Sequence, residues 1–198
     1  MSKGQLIIMS GPSGVGKSTI VKKVMENYPS LRFSVSATTR EIRPGEVDGV
    51  SYYFISKEEF LDMVEKDELL EHAEYVGNYY GTPAKPIDEA RNLGYDILLD
   101  IEVQGAMQVK AKRPDAVSVF IKAPSFEELE RRLRGRGDTA EDKILGRLAA
   151  ARREYQKIPE YDYVIVSENG KQEEAAEQLL AIIRAARCRT SQQEKLTE

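Results

Sequence analysis

What the chain lacks narrows the reading first. Among its 198 residues there is one cysteine, Cys188, and one histidine, His72. A lone cysteine cannot close a disulfide within the chain and suits a reducing compartment. One histidine and one cysteine also make no zinc constellation. No apolar run approaches membrane-spanning length; near the N-terminus there is only Leu6-Ile7-Ile8-Met9, too short for the core of a signal peptide. Large charge excess is missing too. A net charge of −4 argues against coating nucleic acid or an anionic membrane, so any phosphate site must be a local cluster of cations. Internal repeats and low-complexity linkers are absent. The expectation is a soluble, cytoplasmic protein that partners neither nucleic acid nor membrane.

What is present suits a compact α/β protein. Hydrophobic residues are 41% of the chain and charged residues 31%, enough for a sizeable core. Apolar runs near residues 6, 97, 118 and 164 alternate with helical patterns, which predicts a parallel sheet flanked by helices. Expected helices follow from Lys17 to Tyr28, Ile87 to Leu93, Val103 to Lys112 and Glu173 to Arg187. Ser56-Lys57-Glu58-Glu59 and Ser125-Phe126-Glu127-Glu128 have the spacing of capping boxes, and Thr139 is expected to cap a helix running to about Lys157. Between residues 34 and 90 the alternation breaks. A brief strand is expected at Phe33 to Ser36, a loop from Thr38 to Gly49, strands at Tyr52 to Ile55 and Leu69 to Val76, and a turn at Asn78 to Thr82. This stretch reads as a lobe inserted at the carboxyl ends of the strands, where open α/β sheets bind ligands.

Gly11-Pro12-Ser13-Gly14-Val15-Gly16-Lys17-Ser18 matches the phosphate-loop pattern G-x-x-x-x-G-K-[ST]. Successive backbone N–H groups bind phosphate oxygens only where glycines let the chain turn tightly. The following helix adds its positive end, Lys17 reaches the β- and γ-phosphates, and the Ser18 hydroxyl ligates Mg²⁺. A plain glycine-rich turn shares the pattern, but here it lies between an apolar strand and an amphipathic helix, as the motif demands. The motif does not say which nucleotide is bound. A second constellation holds Arg40 and Arg43 beside Pro44-Gly45, where two forked guanidinium groups suit a phosphate. Two solvated surface arginines would look the same.

The phosphate loop, the stretch from Ser36 to Tyr52, Glu71 with Gly77 to Thr82, Asp100-Ile101-Glu102-Val103-Gln104-Gly105, and Arg132-Leu133-Arg134-Gly135-Arg136-Gly137 occur in one order over roughly residues 5 to 170. Together they resemble the guanylate kinase family. The resemblance implies a P-loop NTPase-type core from residues 1–33, 91–124 and 158–188. It implies a mixed α/β GMP-binding lobe at 34–90, a helical lid at 125–157, and a frayed tail from 189. It further implies ATP and GMP as substrates, with dGMP acceptance and oligomeric state left open, and Mg²⁺ as cofactor. Gly11 to Thr19 would hold ATP. Arg40, Arg43, Tyr52 and Tyr80 would hold the GMP phosphate, and Ser36, Glu71, Thr82 and Asp100 would surround the guanine. Lys17, Arg132, Arg136 and Arg147 would act on the transferring phosphoryl group, and Ser18 and Asp100 would serve the metal.

The chemistry of those residue types agrees. An ionised carboxylate at Glu71 is acceptor only and matches guanine's N1–H and 2-amino donors, whereas adenine would leave it unpaired. The acceptor phosphate is mostly ionised at neutral pH, so no general base is required. Ordinary helix ion pairs with Glu127, Glu128 and Glu130 are an alternative use for the arginines at 131–136. After the last strand the family usually carries asparagine then aspartate, whereas this chain reads Ser167-Glu168, which bears on the donor base. Rival readings are a kinase for another nucleoside monophosphate and a non-catalytic phosphopeptide-binding module of the same fold. A GTPase switch is disfavoured because no N-K-x-D motif is present.

Overall fold

The computed structural model of the chain describes residues 3–135 and 140–189. In chain order the elements are β1 (Leu6–Ser10), α1 (Lys17–Asn27), β2 (Leu31–Phe33), β3 (Ala37–Thr38), β4 (Tyr53–Phe54), α2 (Lys57–Glu65), β5 (Leu69–Tyr75) and β6 (Asn78–Pro83). Then come α3 (Ala84–Asn92), β7 (Asp96–Asp100), α4 (Val103–Lys112), β8 (Val117–Lys122), α5 (Phe126–Arg134), α6 (Glu141–Tyr155), β9 (Tyr163–Val166) and α7 (Gln172–Arg187).

The strands β2-β7-β1-β8-β9 form a parallel sheet in that order. Its central strands are buried on both faces, which is why they read as unbroken apolar runs rather than alternating ones. Ile7 and Met9 face a core shared with α1, α5, α6 and α7, while Leu6 and Ile8 face a second one shared with α3 and α4. Asp96, wholly buried, fastens the end of this sheet: it accepts from the backbone N–H of Gln5, from the Tyr28 hydroxyl and from Arg187. Both expected capping boxes have their serine bond, Ser56 accepting from the Glu59 N–H at 3.0 Å and Ser125 from the Glu128 N–H at 3.1 Å.

The fifth strand, β2, has no apolar run to announce it, because only Leu31 of its three residues is buried. It therefore precedes the strand expected at Phe33 to Ser36. A second sheet, ordered β4-β3-β6-β5, makes the inserted lobe and departs most from expectation. Asn78 to Thr82 is a strand, not a turn; the turn is Val76-Gly77, with φ of 50° and 73°. Thr38, expected in a loop, pairs with Tyr80 and Phe54. Helix α3 starts at Ala84, since Pro86 lies in its first turn, where a missing N–H is harmless. Thr139 lies outside the described residues, and α6 opens after Ala140 without a side-chain cap.

Candidate functional site

Strand β1 ends at Ser10 and delivers the chain into the glycine loop. In register beside it, Met9 faces Asp100 at the end of β7, so the loop and that carboxylate meet by topology. Gly11 cannot be replaced: a Cβ there would lie 2.2 Å from the Ile121 carbonyl oxygen. Gly16 caps α1 in the left-handed region with φ of 94° and offers no side-chain cap, and no acid occupies the first turn. The first N–H groups of α1 and its positive end are thus turned to the loop, the arrangement that suits an anion. Lys17 folds over the loop, its Nζ donating to the Gly11 carbonyl at 2.6 Å and standing 3.9 Å from Asp100 Oδ1. Burial pushes the Asp100 carboxyl above its usual range while Lys17 opposes the shift.

A cleft of about 940 Å³ opens from this loop to α6 and has Lys17, Asp100, Glu102, Arg147 and Glu154 on its walls. Of the expected lid arginines, Arg147 reaches it. Arg132 is committed elsewhere. It pairs with Glu128 at 2.7 Å and donates to the carbonyls of Ser167, at 2.8 Å, and Val15, at 3.4 Å, so it ties the lid helix to the loop backbone. Arg131 and Arg132 hold the Glu128 carboxyl down at about 2. Arg134 pairs with Glu130 and Glu141, so ion pairing does absorb the charge of α5. Arg136 lies outside the described residues. Ser167 is buried behind Gly16, where a Cβ would meet its hydroxyl at 3.4 Å.

In the lobe, Arg40 is held end-on. Its Nη1 and Nη2 donate to the two oxygens of Glu46 at 2.9 and 2.8 Å, and Nη1 also bonds the Glu41 carbonyl. Its guanidinium lies 5.4 Å from the Tyr52 ring and 5.6 Å from the Phe54 ring, and the Tyr52 and Tyr80 rings meet edge to face at 6.2 Å. Glu46 also accepts from the Arg43 N–H, and these donors hold its carboxyl down at about 2. The Arg43 side chain is exposed. Sequence reading missed Glu46, although its position three residues past Arg43, across the Pro44-Gly45 turn, was the available signal.

Deeper in, Glu71 is 8% exposed and accepts from the Thr82 hydroxyl at 2.6 Å. Ala37, Gly81 and His72 pair across β3, β6 and β5, and Ser36, Thr82 and Glu71 flank that row. Gly105 leaves room for the acid, since a Cβ there would lie 2.8 Å from Glu71 Oε2. Burial raises the Glu71 carboxyl above its usual range, Thr82 opposes this, and Glu102 adds to it. Glu154 was missed as well. It belongs to α6, its Oε2 is sealed from solvent and has no hydrogen-bond partner, and burial raises its carboxyl against the pull of Lys17. The structure thus gathers two groups. Lys17, Asp100 and Arg147 line one cleft, while Arg40, Tyr52 and Tyr80 cluster in the lobe near the Glu71–Thr82 pair.

Comparison with known proteins points the same way. A family model described as guanylate kinase matches residues 3–186. A guanylate kinase from Synechococcus sp. is 50% identical over 92% of this chain and 83% of its own length. One from Lactococcus lactis is 50% identical over 92% of this chain and 88% of its own. Among solved structures, a guanylate kinase from Anaplasma phagocytophilum superposes with a TM-score of 0.75 at 38% identity, covering 98% of this chain and 92% of that one.

Proposed function

The chain belongs to the guanylate kinase family, and from that premise we propose how its residues divide the work. It is an ATP-dependent nucleoside monophosphate kinase, a transferase that moves the γ-phosphoryl group of ATP to GMP. Gly11 to Thr19 hold the ATP phosphates through backbone N–H groups, and Lys17 neutralises the charge that develops between donor and acceptor. Arg147 approaches the transferring group from α6. Arg132 acts one step back, as a positioning residue that fastens α5 to the Val15 and Ser167 carbonyls. Arg136 is assigned to the same closure by the family pattern alone.

On the acceptor side, Arg40, Arg43, Tyr52 and Tyr80 bind the GMP phosphate. Glu46 occupies the end-on fork of Arg40, the Tyr80 hydroxyl interacts with the same guanidinium, and the GMP phosphate would be shared between them on the side away from Glu46. Glu71 reads guanine's N1–H and 2-amino group, with Thr82 and Ser36 supplying hydroxyls around the base. Those two donors would draw the Glu71 proton off again, because they bond only its ionised form. The same acceptor set serves dGMP, whose base and phosphate are identical.

Ser18 and Asp100 fit a magnesium ion. They line one hollow, and the Asp100 carboxylate accepts no hydrogen bond among the described residues. A hydroxyl and a carboxylate are the oxygen donors that a hard cation takes, Asp100 through the ion's water shell. When bound with ATP, the ion supplies charge neutralisation at the β- and γ-phosphates. We read Asp100 as serving this side rather than the guanine, because its nearest charged partner is Lys17. The cytoplasm is the proposed place of action; among the described residues no helix is long and apolar enough to cross a membrane.

The observation that carries the acceptor assignment is the Glu71–Thr82 pair, buried beside the small residues Gly81 and Gly105. Steady-state ADP release with GMP, AMP, UMP and dTMP tests it. GMP is expected to be the acceptor, and Glu71→Gln to raise KM for GMP by about 10- to 100-fold with KM for ATP unchanged. Equal loss toward both substrates would refute the reading of Glu71.

A further inference from the structure

Two lid cations that line the cleft, Lys143 and Arg147, are committed to no carboxylate among the described residues. Lys143 and Arg147 are one turn apart on α6, on the face that also carries Glu154, and all three line the cleft opposite Gly11, Ser13 and Lys17. Neither makes a hydrogen bond or ion pair among the described residues, although Arg131, Arg132 and Arg134 on α5 all do. The spacing explains why Lys143 is unpaired: its i+4 neighbour on the helix is Arg147, a like charge that repels it. Gly146 belongs to the same wall, and a Cβ there would meet no heavy atom within 4 Å, so no side chain fills the space beside the two cations. A helix that places two cations one turn apart and faces them at a phosphate loop has a use for an anion between them.

We propose that Lys143 is a second lid cation that binds the polyphosphate of the donor nucleotide alongside Arg147. The proposal rests on the P-loop reading given above. The donor is the ligand because the P-loop residues line this cleft, whereas Arg40, Arg43, Tyr52 and Tyr80 do not. Four residues of helix separate the two cations by about 6 Å, so they meet different phosphates of one chain rather than the same one. Arg147 then serves the transferring group, and Lys143 adds preference for a donor with a long phosphate chain. Nothing in the phosphate-loop pattern or in the arginine motif points to Lys143. It becomes visible once α6 is seen to face the cleft.

Steady-state kinetics of Lys143→Met and Lys143→Arg, with GMP and ATP each varied, test this. Loss of one partly exposed charge–phosphate contact is expected to raise KM for ATP about five- to tenfold in Lys143→Met, with KM for GMP within about twofold of the parent. Lys143→Arg restores the parent value, and the defect shrinks in 0.5 M salt, about where screening shortens to a few ångströms. Equilibrium binding of a non-hydrolysable ATP analogue and of ADP to the same variants should show the larger loss for the triphosphate. An unchanged KM for ATP, equal losses for both substrates, or no rescue by arginine would overturn the proposal. A parent enzyme that releases no ADP from ATP and GMP would instead overturn the P-loop reading beneath it. Because Lys143 is exposed, both variants are expected to keep the parent melting temperature.

Discussion

The two sides of the cleft hold their charges in opposite ways. In the lobe the two most enclosed charges have a local partner: Arg40 is gripped by Glu46, and Glu71 accepts from Thr82, while the Arg43 side chain stays exposed. On the P-loop side charges are loosely held. Lys17 stands 3.9 Å from Asp100, Glu154 has an oxygen with no partner, and Lys143 and Arg147 pair with nothing among the described residues. On the assignment proposed above, the lobe meets a small monophosphate with a prearranged set of side chains, whose ordering cost is met on folding. On the same proposal, the P-loop side meets a triphosphate with its metal ion, a charge far larger than that of the monophosphate. Its cations are left uncommitted for that load, and the cradle itself is backbone, which carries no titrating group.

The sharpest way to break this contrast is at Lys17. If its charge acts on the phosphates and not on the fold, Lys17→Ala should lower kcat by on the order of 10³-fold, the scale for losing a charged donor at a transferring group. Its melting curve should stay near the parent's, because the residue holds only a 3.9 Å ion pair and one carbonyl bond. Turnover near normal, or a collapse of the melting transition, would show that Lys17 belongs with the structural pairs.

The same contrast explains what could be read in the sequence. The phosphate cradle was legible because backbone geometry forces a contiguous pattern: Gly11 faces the Ile121 carbonyl at a distance only glycine tolerates, and Gly16 needs a positive φ. The central strands were legible because burial on both faces makes them continuously apolar. The lobe was read less well. Its strands β3 and β4 have two residues each, too few for alternation to show, and the β5–β6 turn was placed two residues late. Arg40 stood out as one of a pair with Arg43, and Glu71 through the family resemblance, but Glu46 did not, since its bond to Arg40 depends on how the Pro44-Gly45 turn folds back. Arg132 is a case of another kind: its guanidinium meets Glu128 and the carbonyls of Ser167 and Val15, contacts that helix spacing alone left open.

A smaller effect sharpens the lobe side of the contrast. Glu46→Gln keeps the size of the side chain but removes the charge that holds the Arg40 fork and accepts from the Arg43 N–H. A free guanidinium must then be ordered by GMP itself, so KM for GMP is expected to rise about tenfold while kcat changes little. Should KM for GMP fall instead, Glu46 is a competitor for Arg40 and not its support. Acid reports on the same pair. The Glu46 carboxyl titrates at about 2 in the fold against an ordinary 4.5, so its contribution to stability is whole above pH 4.5 and fades as the pH drops toward 2.

Glu154 should behave in the reverse sense, and with the smallest effect. Burial raises its carboxyl above 4.5, Lys17 pulls it down and Glu102 pushes it up, with a net rise. The fold therefore binds its proton more tightly than the unfolded chain does. Stability from this group is greatest in acid and declines as the pH climbs through the raised value, so the penalty grows from acid toward neutral pH. Replacing the acid with a neutral side chain of the same shape removes the ionised oxygen that nothing solvates. Glu154→Gln is expected to be more stable than the parent at pH 7.5 by up to about 1 kcal/mol, a rise of about 2–4 °C in Tm. The gain should shrink when the comparison is repeated at pH 5. A gain that is equal at both pH values would mean that it does not come from removing the charge. A stabilised variant that turns over more slowly would show that the loosely held charges on the P-loop side are kept at a cost to stability, because the reaction uses them.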